Sequence, residues 1–253
     1  MFEWLKKMGI SKKMKHEIIV NAESLETRVA IMADGHLEEF FIERPTEERI
    51  VGSIYKGRIQ NMEDGLQAAF VDIGMKKNAF IHYWDMIPED AARLEAEEGV
   101  AANRPRKKKS QPGEMAKQFP PGSEIIVQVT KGPIGTKGPR VTANLSIPGR
   151  YLVMMPGSKL KGVSRKIEND QERIRLKKAL GRLPIPSGIG LIIRTSGEGV
   201  RATSFARDLR GLLDTWQKIE DGIKNTPAPC CLYHEPDLVE RVVRDSLTEE
   251  VGR

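Results

Sequence analysis

Cysteine is nearly absent from this chain of 253 residues, and the two it has, Cys230 and Cys231, are adjacent. Neighbouring thiols build no disulfide framework and lack the spacing of a zinc site. They read as two reduced thiols in an intracellular protein. Long apolar runs are missing as well. The longest, around Ile125–Val129 and Tyr151–Met155, fall far short of the roughly 20 residues that span a bilayer, so the sequence contains no transmembrane segment. Residues Met1 to Gly9 lack the apolar stretch of a secretory signal and read as a frayed basic tail, with an amphipathic turn against a membrane or partner as the alternative. Histidine is sparse and scattered, at His16, His36, His82 and His234. There is no His-Glu-x-x-His, no Gly-x-Ser-x-Gly and no nucleotide phosphate loop. Hydrolytic metal chemistry needs converging carboxylates. Glu89-Asp90, Glu95 to Glu98 and Glu249-Glu250 read instead as solvated helical charges, and Asp72 as a turn-fixing residue. On the residues alone, no catalytic centre is visible.

What is present is a folded composition with a basic bias. Hydrophobic residues make up 39% and charged residues 30%, and 41 Lys+Arg against 35 Asp+Glu give a net charge of +6. That balance is compatible with a polyanionic partner without requiring one. The chain opens on three strand-like runs, at Glu17–Val20, Arg28–Met32 and Leu37–Ile42. Asp34-Gly35 between the last two has the chemistry of a type I′ hairpin turn.

Three further short strands follow, at Ile54–Gln60, Leu66–Gly74 and Asn78–His82. Side chains alternate across a strand. Ala69, Val71, Ala79 and Ile81 therefore face one way, and Phe70, Phe80 and His82 the other. Aromatic rings outside a small barrel, with Lys56 and Arg58 on a neighbouring strand, make a surface on which unpaired bases stack. Tyr83–Ile87 leads into an acidic helical run to Glu98, then a basic loop over 101–118. Strands at Glu124–Thr130 and Arg140–Leu145 flank the glycine-rich turn Lys131–Pro139 and complete the five strands of an OB-type barrel.

Beyond Gly149 the pattern changes to a mixture of strands and helices. Tyr151–Met155 reads as a buried strand, Lys159–Lys166 as a basic loop, and Asn169–Leu180 as an amphipathic helix with Ile174, Leu176 and Leu180 apolar. An all-apolar strand, Gly190–Ile193, runs into the polar bend Arg194-Thr195-Ser196-Gly197. An arginine fork, a threonine hydroxyl and backbone N–H groups at such a bend can cradle a phosphate, although Arg-Thr at a strand end is more often a salt bridge and a turn. Thr203–Lys224 predicts a helix whose stripe of Leu209, Leu212, Leu213, Trp216, Ile219 and Ile223 is core. A strand at Cys230–Tyr233 and a helix over Leu238–Glu250 end the chain.

The ordered set Ile54-Tyr-Lys-Gly57, Ala68-Ala-Phe-Val-Asp-Ile-Gly74, Phe80, Thr136-Lys-Gly138, Leu152-Val-Met-Met-Pro156, Gly162-Val-Ser-Arg-Lys-Ile167 and Gly190-Leu-Ile-Ile-Arg-Thr-Ser-Gly197 closely resembles the bacterial ribonuclease E/G family of endoribonucleases. The resemblance runs from about Lys15 to the end of the chain. It implies an α+β fold in which an S1-type OB-fold barrel and a small α/β 5′-sensor subdomain are inserted into a split, incomplete RNase H-like subdomain. The implied division is a basic tail over 1–14, the first RNase H-like part over 15–50, the barrel over 51–148, the sensor over 149–212 and the second RNase H-like part over 213–253.

By motif, Phe70, Phe80 and Lys137 match the family's RNA contacts, and Lys56 is added from the strand reading. Gly149, Val153, Arg165, Arg194 and Thr195 match its 5′-monophosphate pocket. The implied activity is cleavage of single-stranded RNA, preferably 5′-monophosphorylated, in RNA processing and decay. The implied cofactors of the full-length protein are Mg²⁺ and Zn²⁺, neither bound by this chain. The implied assembly is a homo-oligomer, in the cytoplasm or peripheral to the inner membrane.

Two departures stand out. Asn78-Ala79 replaces a frequent His-Gly pair before Phe80. The chain also ends before the subdomain that carries the family's metal-binding aspartates and its zinc-sharing cysteines, so it reads as a truncated portion, inactive alone. A non-catalytic RNA-binding adaptor is the alternative.

Overall fold

A computed structural model describes residues 16–44, 50–87 and 112–247. The elements in chain order begin with β1 (His16–Ala22), β2 (Thr27–Ala33), β3 (His36–Glu43), β4 (Ile54–Glu63), β5 (Ala68–Asp72), β6 (Ala79–His82), α1 (Tyr83–Met86), α2 (Pro112–Gln118), β7 (Glu124–Lys131) and β8 (Arg140–Thr142). Then come β9 (Ile147–Pro148), β10 (Leu152–Pro156), β11 (Lys161–Val163), α3 (Asp170–Gly181), β12 (Ile189–Ile193), α4 (Ala202–Asn225), β13 (Cys230–Tyr233) and α5 (Leu238–Ser246). The described residues form two units, one from 16–44 with 236–247 and the other from 50–235.

In the first unit β1, β2 and β3 form an antiparallel meander. Asp34 and Gly35 take positive φ, 49° and 83°, as the hairpin chemistry requires. Register brings Ile18 opposite Ile31 and Val29 opposite Phe41. That face closes on Leu238 and Val242 of α5. Asp237 caps the helix by accepting from the Glu240 N–H at 2.9 Å, and Glu43 accepts from the Leu238 N–H at 2.7 Å. Two segments far apart in sequence thus share one small core.

The second unit holds two cores. Its barrel runs β4-β5-β6-β8-β7 and closes by pairing β7 with β4. β6 and β8 are parallel, and the other neighbours are antiparallel. Tyr55, Ile59, Val71, Ile81, Val127 and Val141 fill the interior. Gly57 lies where a Cβ would stand 2.5 Å from Val71, so the strand crossing admits no side chain there. β13 adds a further strand to β4 outside the closed ring.

The other core lies against the sheet β11-β12-β10-β9. Leu152, Met154, Leu191 and Ile193 pack with Leu176 and Leu180 of α3 and with Phe205, Leu209, Leu212 and Ile219 of α4. The expected stripe of α4 is core, with Leu213, Trp216 and Ile223 packed at its margin.

Some local expectations change. Lys161–Val163, inside the expected basic loop, pairs in parallel with β12, and Pro112–Gln118 is helical within the loop expected over 101–118. Leu66 belongs to a 3-10 turn and is exposed. Ile174 is exposed too, because the buried face of α3 runs through Leu176, Ala179 and Leu180. α4 runs unbroken over Ala202–Asn225. The expected tail over 1–14, the acidic run to Glu98, the basic residues 101–111 and the end of the last helix lie outside the described residues.

Candidate nucleic-acid interface and phosphate pocket

Alternation on β5 and β6 turns Phe70, Phe80 and His82 away from the barrel core. Register places Phe70 directly opposite Phe80. Their rings meet edge to face with centroids 5.9 Å apart. Phe80 meets the His82 ring at 4.6 Å, and His82 stacks on Trp84 at 4.0 Å with the rings 14° from parallel. Four rings therefore form one row. His82 and Trp84 were not among the expected binding residues. The period-2 pattern marks His82, but Trp84 lies in α1, where strand parity no longer applies.

Burial, and secondarily the Arg140 guanidinium, hold the His82 pKa below its ordinary 6.5, against the pull of Asp85. Arg140 is itself paired with Asp85 at 3.3 Å. Below the row, burial and donation to Asp64 at 2.8 Å push the Tyr83 phenol up to about 12.

Lys137 is exposed beside the row. It closes a tight turn with Ile134, and two residues on, the Pro139 carbonyl accepts from the Phe80 N–H at 2.8 Å. A Cβ on Gly138 would stand 2.0 Å from the Asn78 carbonyl oxygen, so glycine is needed for this turn to lie against the β5–β6 connection. Lys77 fastens the same turn by donating to the Gly135 carbonyl at 2.6 Å.

Lys56, expected to contact RNA, is engaged within the fold. It points outward, but the outward face of β4 at that level is covered. Its ammonium donates to the carbonyls of Ile223 and Thr226, both at 3.0 Å, and pairs with Glu124 at 2.9 Å. It caps the C-terminal end of α4, where carbonyls have no partner within the helix. Ile54, on the same face of β4, enters the core shared with α4.

The expected phosphate-binding residues gather at one end of the sheet β11-β12-β10-β9. Arg194 follows β12, and Thr195 opens a 3-10 turn, Thr195–Gly197, with its side chain exposed. The Arg194 guanidinium donates to the Gly149 carbonyl at 2.6 Å. Val163 pairs with Ile193, so Arg165 and Arg194 leave parallel strands at the same end. Val153 is half-buried on β10, opposite Ile192 and Pro148.

The segment Gly149–Leu152 is held from both sides. The Arg150, Tyr151 and Leu152 N–H groups donate to the Asp208 carboxylate at 3.1, 2.8 and 2.9 Å. The Arg150 carbonyl accepts from the Ser196 hydroxyl at 2.7 Å, and the Tyr151 carbonyl from the Arg194 N–H at 2.8 Å. The Gly149 N–H donates to the Leu152 carbonyl at 2.7 Å.

Among the described residues, no three His, Cys, Asp or Glu side chains come together to hold a metal.

A closed barrel bearing an outward row of rings, beside a cationic turn, belongs to a class of surfaces on which bases can stack. Comparison with known proteins narrows the class. Residues 146–253 match the model of the Ribonuclease E/G family. Over 95% of its length the chain is 41% identical to Ribonuclease G of Escherichia coli strain K12, covering 47% of that protein. It is 37% identical to Ribonuclease G of Haemophilus influenzae, with 90% of the chain and 45% of the relative covered. It is 36% identical to Ribonuclease E of the same organism, with 94% and 24% covered. The chain belongs to the ribonuclease E/G family. It spans about half the length of the Ribonuclease G relatives and about a quarter of that Ribonuclease E.

Proposed function

We propose that this chain is the RNA-recognition part of an endoribonuclease that cleaves single-stranded RNA in RNA processing and decay, with a preference for a 5′-monophosphate. The carrying observation is the four-ring row on the outside of a closed barrel. In this reading residues 51–148 are an S1-type OB barrel, supported by its five strands and their closure through β7 and β4. Bases stack on Phe70 and Phe80, and Lys137 neutralises a backbone phosphate. The unit of 16–44 and 236–247 is a split RNase H-like subdomain. The sensor is the sheet from 149 onward with its helices.

Arg194 and Thr195 grip the terminal phosphate, with Gly149, Val153 and Arg165 shaping the pocket. A guanidinium presents a planar fork of donors that suits phosphate oxygens, and the threonine hydroxyl adds one more donor. A triphosphate would be too large and too charged for that fork. The Mg²⁺-assisted hydrolysis of the whole protein, its zinc and its oligomer contacts lie outside the described residues in this reading, so the chain binds RNA without cutting it. The site of action is the cytoplasm. No helix among the described residues is long and apolar enough to cross a membrane.

The test is a titration of two labelled single-stranded RNAs, identical but for a 5′-monophosphate or a 5′-hydroxyl, with Mg²⁺ present and cleavage monitored. The monophosphate form is expected to bind more tightly, and Arg194→Ala to erase the difference while leaving the 5′-hydroxyl affinity in place. Equal affinities for the two RNAs in the unaltered chain would remove the sensing assignment, and cutting would remove the division of labour.

A further inference from the structure

The turn Gly149–Leu152 has four N–H and four C=O groups, and each of the eight has a partner. The three consecutive N–H groups of Arg150, Tyr151 and Leu152 all point at one carboxylate, that of Asp208 on α4. Successive backbone N–H groups aimed at one point form an anion-binding concavity, and here the anion is built into the chain. On the other side, the carbonyls of Gly149, Arg150 and Tyr151 receive the Arg194 side chain, the Ser196 hydroxyl and the Arg194 N–H. The Asp208 carboxylate and the Arg194 guanidinium are thus linked through one stretch of backbone.

Gly149 carries the same message. A Cβ there would stand 2.7 Å from both Asp208 carboxylate oxygens, so the carboxylate occupies the space that any other residue would need. From these contacts we propose that Asp208 is a positioning residue of the 5′-phosphate pocket. By fixing the Gly149–Leu152 turn, it sets the carbonyl that aims the Arg194 guanidinium. The proposal rests on the reading of Arg194 as the phosphate-gripping residue. Asp208 itself touches no phosphate: a carboxylate would repel one, and its acceptor oxygens are engaged by the turn.

The measured quantity is the ratio of affinities for 5′-monophosphate and 5′-hydroxyl RNA. Asp208→Ala is expected to lower that ratio by about tenfold, by analogy with the lower end of what loss of an orienting partner costs at metal sites. Affinity for the 5′-hydroxyl RNA is expected to stay as it was, because the barrel supplies it. Asp208→Asn keeps the shape and one acceptor oxygen, and its ratio is expected to lie between the two; this variant decides the matter if the alanine variant does not fold. Gly149→Ala is expected to lose the preference too, and the double variant Gly149→Ala, Asp208→Ala to be no worse than Asp208→Ala alone, because the clash disappears with the carboxylate.

An unchanged ratio in Asp208→Asn and in a folded Asp208→Ala, with Arg194→Ala having erased the preference, overturns the positioning role alone. A loss in Arg194→Ala no greater than in an unrelated surface variant overturns the sensor reading beneath it. A parallel fall in both affinities for the Asp208 variants means a general structural role and also overturns the proposal.

Discussion

Phe70 and His82 sit on one ring row but answer to different tests. Replacing Phe70 by alanine is expected to weaken single-stranded RNA binding by about 1–3 kcal/mol, the worth of one base–aromatic stack. Its edge contact with Phe80 contributes about 0.5–1.5 kcal/mol to the fold beyond the area the ring buries. Unchanged RNA affinity in a Phe70→Ala chain that urea unfolding shows to be folded would remove the stacking role. His82 has a folded pKa below 6.5, so as pH falls the unfolded chain takes up the proton first. Its contribution is fully present above about 6.5 and is lost as pH drops from there through the folded value. The unfolding midpoint is expected to decline as pH falls below about 6.5. His82→Gln is expected to flatten that segment of the profile, and an unchanged slope would place the acid sensitivity elsewhere.

Lys56 and Glu172 each tie one element to another. Lys56→Met removes donors from two carbonyls at the end of α4 and leaves Glu124 without its main partner. A loss of roughly 1.5–3 kcal/mol is expected in denaturant titration, the range for hydrogen bonds made by a charged group. RNA affinity should not change, and a fall in it at constant stability would return Lys56 to the binding surface. Glu172 on α3 is held at about 2 by the Arg175 guanidinium and the Gly199 N–H, which fasten the helix to the loop after β12. Its contribution is complete above the unfolded value of 4.5 and disappears as pH falls from there towards 2. Glu172→Gln should remove that stretch of acid sensitivity when midpoints are compared across it.

The barrel's alternation was legible in the sequence because period 2 separates inside from outside without knowledge of the neighbours. The cover over Lys56 was not legible for the same reason: parity says that it points outward, and only the folded chain shows that α4 covers that part of the outside. Asp208 was invisible, since an aspartate in the middle of a helix reads as a solvated charge and its partners lie 56 to 58 residues away. β9 and β11, of two and three residues, are too short to carry a periodic signal.

At the scale of the molecule, the first unit depends on both ends of its split sequence. Leu238 is almost fully buried among Val29, Ile31 and Val242. Leu238→Ala is expected to cost about 2–5 kcal/mol, as large-to-small changes in a core do. The loss should appear in amide exchange of β1–β3 while the barrel and its RNA affinity remain unaltered. Protection lost evenly across 50–235 as well would mean that the two units unfold as one. The family was legible from its ordered motifs, whereas the division at 235–236 was not, because only the four residues His234–Asp237 separate β13 from α5.

The split core also has a timetable. On a ribosome, β1–β3 emerge before α5, and the residues that cover Val29, Ile31 and Phe41 follow roughly 200 positions later, which at about 5–20 residues per second is a delay of about 10–40 s. For that interval a newly made three-stranded sheet presents an uncovered apolar face while the barrel assembles behind it. The β1–β3 segment is therefore a candidate for chaperone binding in the nascent chain until α5 has been made and covers it.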